Sequence, residues 1–111
     1  MKSKRSKTGG ALQLEGLLTI AEAAALHRVV LEAMPEHGDL RVELRDVERV
    51  DVTALQILLA AARTLGERGD RLIITDADSA LRRAAEIHGL QHHEPFVTPE
   101  VTPAETSEDV K

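Results

Sequence analysis

Hydrophobic and polar positions repeat along this chain with two different periods. In Leu12-Gln13-Leu14-Glu15-Gly16-Leu17-Leu18 the even positions are apolar or Gly and the odd ones begin polar, the mark of a strand with one dry face. The period then lengthens to that of a helix over about Ile20 to Met34, which should bury Ala23, Leu26, Val29, Val30 and Ala33 and stop before Pro35 and Gly38. Thr19 and Glu22 have the spacing of a capping box at its start. A second strand alternates cleanly, Leu40, Val42 and Leu44 against Arg41, Glu43 and Arg45. One face of the sheet therefore meets water, and the helices are expected to cover the other.

Asp51 is placed to N-cap a second helix, Val52 to about Glu67, closed by Gly69, with Leu55, Leu58, Leu59, Ala62 and Leu65 as its buried stripe. Arg71-Leu72-Ile73-Ile74-Thr75 reads as a third strand of more central character. Asp78-Ser79 should cap a last helix, Ala80 to His88, burying Leu81, Ala84 and Ala85 and ending at Gly89, with Leu90 packing back on its final turn. The order β-α-β-α-β-α predicts an α/β fold, a small mixed or parallel sheet with helices packed mainly on one face.

The flanks differ from this unit. Lys2, Lys4, Arg5 and Lys7 crowd the first eight residues, and residues 1–10 read as a disordered basic tail. Residues 94–111 hold three of the four prolines in a loose Pro-x-x-Thr repeat with five acids, and read as a disordered acidic tail. Thr98-Pro99 and Thr102-Pro103 there are candidate modification sites. The folded domain is thus expected at 11–93.

Composition mainly removes function classes. The 111 residues are 42% hydrophobic, with no Cys, Trp or Tyr and Phe96 as the single aromatic. There is no disulfide framework, thiol nucleophile or cysteine-ligated metal, and no aromatic platform for stacking bases or sugars. The formal net charge of −5 argues against nucleic acid as a partner. No apolar run approaches a membrane span, and the basic head is followed by no signal-peptide core, so a soluble cytoplasmic protein is expected, not inserted in a membrane.

The candidate chemical groups are weak. His88, His92 and His93 are close in sequence, but Gly89 interrupts the spacing and a His at a helix carboxyl end already suits the dipole. Asp76 and Asp78 at a strand-to-helix junction are caps by preference. No catalytic residues, metal ligands or cofactor motif emerge. The informative stretch is Val50-Asp51-Val52-Thr53-Ala54-Leu55-Gln56. Thr53 falls in the first helical turn, about 160° round the axis from Leu55, on a face shared with Ile57, Ala60 and Thr64. A face so short of charge, in a chain that is 30% charged, is a candidate partner surface made of Asp51, Val52, Thr53, Gln56, Ile57, Ala60 and Thr64.

Three features together resemble the STAS domains, the sulfate-transporter and anti-sigma-factor-antagonist domains, over about residues 12–91. They are Leu14-Glu15-Gly16-Leu17-Leu18-Thr19-Ile20, then Leu40 to Val47 leading into Val50 to Gln56, then Gly69-Asp70-Arg71-Leu72 with a final helix ending Gly89-Leu90. The resemblance implies a four- to five-stranded sheet with helices on one side and no enzymatic activity. It implies a bacterial regulatory protein whose partner is an anti-sigma factor or similar serine kinase, with Thr53 at the phosphoacceptor position. Asp51-Val52-Thr53-Ala54 lacks the first hydroxyl and the Gly usual in the antagonists, which makes the chain more similar to the short stand-alone STAS proteins of ABC-type lipid transporters or chemosensory systems. There the partner would be the transporter ATPase, bound without phosphorylation. A second copy of the chain, forming a homodimer, is a further candidate partner. A small-molecule or nucleotide site at the strand ends near Asp51 and Asp76 is a third reading. The edge strand with which STAS domains open has almost no sequence left to form it ahead of Leu12.

Overall fold

A computed structural model of the chain describes residues 1–6, 9–90 and 95–96. Its elements are β1 (Lys2–Arg5), β2 (Ala11–Leu18), a 3-10 turn (Ile20–Glu22), α1 (Ala23–Ala33), β3 (Leu40–Val50), α2 (Val52–Glu67), β4 (Leu72–Asp76) and α3 (Ala80–Ile87). The four strands form one mixed sheet in the order β1-β2-β3-β4. β1 runs antiparallel to β2, whereas β2, β3 and β4 are parallel. Parallel neighbours need long crossovers, and α1 and α2 supply them.

The alternation in the strands and the stripes on the helices meet in one core. Leu12, Leu14 and Leu18, then Leu40, Val42 and Leu44, then Leu72 and Ile74 are buried on the sheet face that carries the helices. Against them lie Leu26, Val29, Val30 and Ala33 of α1, Ala54, Leu55, Leu58, Ala61 and Leu65 of α2, and Ala80, Leu81, Ala84 and Ala85 of α3. Each fully buried leucine contributes roughly 2 kcal/mol of transfer free energy. Arg41 and Arg45 point to the other, uncovered face.

Several expectations need correction. The basic head is not a tail: Lys2–Arg5 pairs with Leu12–Glu15 as an edge strand, so the domain starts well before residue 11. The Leu72–Asp76 strand is not central but forms the opposite edge. Ala23 is only half-buried, because the helix is preceded by a 3-10 turn that starts at Ile20. Thr19 makes no side-chain cap, so the capping box does not form. On α2 the stripe turns slightly, with Ala54 and Ala61 buried and Leu59 and Ala62 half-buried. β3 runs on to Val50 through a register shift against β2, where Asp46 takes a left-handed φ of 55° and the buried positions jump from Leu44 to Val47.

At the carboxyl ends of α2 and α3 the sequence reading holds closely. Gly69 and Gly89 have φ of 86° and 73°, and Asp70 N–H and Leu90 N–H donate back to Leu65 and Ala85 carbonyls, the double-bonded glycine cap. At the far end of the domain Phe96 is 2% exposed and belongs to the core, so the boundary at residue 93 is too short. Residues 97–111, with the two Thr-Pro sites, lie outside the described residues, as do His92 and His93.

Candidate protein-docking site

The amino-terminal end of α2 is organised by one carboxylate. Asp51, in extended conformation, is the N-cap, and its Oδ1 accepts the Thr53 N–H at 3.1 Å. Its Oδ2 accepts the Ile20 N–H at 2.7 Å, tying the 3-10 turn after β2 to the start of α2. Its backbone N–H donates to the Leu18 carbonyl at 3.1 Å, and its own carbonyl takes the Ala54 N–H at 3.1 Å. Asp51 thus satisfies a free N–H at the start of the turn from 31 residues further along the chain. Because the first-turn N–H groups of Thr53 and Ala54 already have acceptors, this helix end is a filled cap and not an open anion cradle.

The residues expected to form a partner surface divide into two groups. Asp51, Val52, Thr53 and Gln56 lie at the carboxyl end of β2 and β3; Val52 and Gln56 are exposed there, and Asp51 and Thr53 are half-buried. Thr53 is therefore less open than its helical angle suggests, because the turn held by Asp51 stands beside it. Ile57, Ala60 and Thr64 line a shallow groove of about 100 Å³ between α2 and α1, opposite His27, Leu31 and Met34. Ala60 and Thr64 are exposed and Ile57 is half-buried, while the Thr64 hydroxyl donates to the Ala60 carbonyl at 3.1 Å.

Two residues that the sequence reading did not single out complete the first group. Ile20 is 71% exposed and Leu17 is 44% exposed, and with Val52 at 38% they place three of the five exposed large apolar residues of the described chain around Asp51. Leu17 sits opposite Arg49 in the last paired residues of β2, and Ile20 is bonded directly to Asp51. The signal was present in the run Leu17-Leu18-Thr19-Ile20, where strict alternation would put one of the two leucines in water.

The other candidates are occupied by structural work. Asp76 accepts the Leu81 and Arg82 N–H groups at 3.3 and 2.9 Å, so it caps α3. The expected Asp78-Ser79 cap is not made: Ser79 sits in the left-handed region with no side-chain cap bond, its hydroxyl accepting only from Arg82 at 3.5 Å, and Asp78 reaches across to the Asp46 N–H at 2.8 Å. With the carboxylates of Asp51 and Asp76 both taken up by backbone N–H groups, the geometry gives no support to a small-molecule site at the strand ends. His88 is the C-cap residue of α3, and among the described residues no group of three or more His, Cys, Asp or Glu is placed to hold a metal ion. No described helix is long and apolar enough to cross a membrane.

A four-stranded sheet opened by an antiparallel edge strand, three helices on one face and a capped Asp-x-Thr helix start meet in one comparison. The family model described as "Mlab, STAS domain" matches residues 1–99. The chain belongs to the STAS domain family. That match begins at residue 1, which agrees with β1 being an integral strand of the STAS fold. No curated protein matches the chain significantly. STAS domains in general are regulatory or partner-binding modules without catalytic activity of their own, and they commonly bind other proteins.

Proposed function

We propose that this STAS domain is a non-catalytic regulatory protein that holds a partner protein at the amino-terminal end of α2, and that phosphorylation of Thr53 by a partner kinase releases it. The observation that carries the docking part is the set of exposed apolar side chains, Leu17, Ile20 and Val52, at the same end of the sheet as the half-buried Thr53. Exposed apolar residues clustered at one place on a small domain mark a contact surface. A phosphate on Thr53 adds about 1.5 to 2 negative charges. It would arrive beside the Asp51 carboxylate, which already accepts the Thr53 N–H. Repulsion there loosens the Asp51 link to Ile20, and the new charge must be desolvated when the apolar surface is covered. In an anti-sigma-factor-antagonist role, the partner would be the kinase itself.

A second reading draws on the same residues. The filled cap at Asp51 and the apolar surround need no phosphate in order to dock, which favours a constitutive accessory subunit, for example of an ABC-type transporter ATPase or a chemosensory system. The two readings part at Thr53. Incubation with the captured partner and ATP, followed by peptide mapping, should label Thr53 in the switch reading and leave Thr53→Ala unlabelled. Full labelling of Thr53→Ala removes the switch. Equal retention of partner by Thr53→Glu and the unaltered chain selects the constitutive reading.

A further inference from the structure

The sheet face turned away from the helices is assembled from the polar positions of all four strands. Lys2 and Lys4 of β1 are in register with Glu15 and Gln13 of β2, Gln13 with Glu43 of β3, and Glu43 with Thr75 of β4. Residues directly opposite one another project to the same side, so these residues share the uncovered face with Arg41 and Arg45. Between Lys4 and Arg41, on strands about 10 Å apart, the surface is concave, with a volume of about 470 Å³ lined also by Gln13, Glu43 and Thr75.

The charge of this face is opposite to that of the chain. Lys2, Lys4, Arg41 and Arg45 stand against Glu15 and Glu43, whereas residues 1–93 carry 13 cations and 14 acids. Glu43 is already paired with Arg45 at 2.6 Å. Among the described residues Lys4 and Arg41 have no acidic partner. The missing counter-charge lies further along the same chain, in Glu100, Glu105, Glu108 and Asp109. That segment leaves the domain from Phe96, which is fixed in the core, and its 15 residues, 97–111, reach at most about 50 Å when extended.

We propose that the acidic segment 97–111 lies across the uncovered sheet face, with its carboxylates set against Lys4 and Arg41. The basic head and acidic tail are then two halves of one contact, and the tail covers the face that the helices leave open. Pairs of exposed charges are individually weak and screened by salt, so the contact is reversible and loosens at high ionic strength. It is carried by a different surface from the α2 docking site and does not depend on it.

The absence of cysteine from the chain gives a clean probe. A nitroxide on Ser107→Cys in the full chain should broaden the amide resonances of Gln13, Glu43 and Thr75 at low salt. The broadening should disappear in 1 M salt, where the Debye length is about 3 Å, and in Lys4→Glu and Arg41→Glu, both at exposed positions, with the rest of the amide spectrum unchanged. No broadening, broadening confined to α1 and α2, or broadening that survives both charge reversals overturns the proposal. Broadening that appears only between labelled and unlabelled molecules would assign the face to a second copy instead, which also overturns it.

Discussion

At the carboxyl end of β2 and β3, the Asp51 carboxylate joins the turn after β2 to the start of α2. At the amino end of β3 and β4, Asp70 and Arg68 join the loop before β3 to the end of α2. Arg68 Nε meets Asp70 Oδ2 at 2.8 Å, Arg68 also donates to the Pro35 and Gly38 carbonyls, and Asp70 accepts the Gly38 N–H. Asp39 adds a bond from the Arg71 N–H at 2.9 Å. Both ends thus use carboxylates to satisfy loop N–H groups, which unpaired would be costly. They differ in what remains outside. The Arg68 loop itself is finished with charged and polar groups, although Leu31 and Ile87 are exposed in the last turns of α1 and α3, while the turn held by Asp51 leaves Leu17, Ile20 and Val52 in water. Loop closure accounts for the carboxylates at both ends; it does not account for the three exposed apolar residues gathered at the Asp51 turn, and they are what points to a partner there.

Four changes break or sharpen this contrast. Ile20→Glu should have the largest effect, on binding: a central contact residue is worth about 2 kcal/mol, or about 30-fold in partner affinity. Its stability in urea should stay within about 0.5 kcal/mol of the parent, because the side chain is exposed. Asp51→Ala removes the acceptor of two N–H groups and should lower unfolding stability by about 1–2 kcal/mol, with partner affinity falling as Ile20 is freed. Arg68→Ala should cost about 1 kcal/mol in the same urea titration and leave partner affinity unchanged; a matching loss of affinity would erase the distinction between the two ends. Ser79→Gly, at a left-handed φ of 58° with no cap bond and only a long, exposed bond from Arg82 at 3.5 Å to lose, should raise stability by about 0.5 kcal/mol, a small shift in thermal midpoint measurable by calorimetry.

Much of the fold is legible in the residues, and the failures share a cause. α2 can be read from Asp51 to Gly69 because its cap, stripe and terminal glycine are all local signals. β1 could not be read from Lys-Ser-Lys-Arg, since an edge strand held by backbone bonds needs no apolar face, and its cations are the usual guard against edge pairing. β4 looked central because Leu72, Ile73 and Ile74 are all apolar, yet only Leu72 and Ile74 face the core and Ile73 lies half-buried on the open side. The Thr19 side-chain cap is not made because the helical segment opens with a 3-10 turn in which the Glu22 N–H goes to the Thr19 carbonyl, while the non-local Asp51 carboxylate accepts the Ile20 N–H. At the site, the α2 residues were within reach of helical geometry. Leu17 and Ile20 were not, since only the pairing of β2 with β3 brings them to Asp51.

The most direct test of the docking surface is a comparative capture. The immobilised chain, its Ile20→Glu form and its Arg68→Ala form are exposed to the same native lysate, and retained proteins are quantified by mass spectrometry. The account predicts a protein held by the parent and by Arg68→Ala in equal amount and depleted at least tenfold by Ile20→Glu, with all three baits showing the same folded amide spectrum apart from local shifts. Retention by Ile20→Glu equal to the parent, with loss on Arg68→Ala, would place the partner at the polar end and contradict the account.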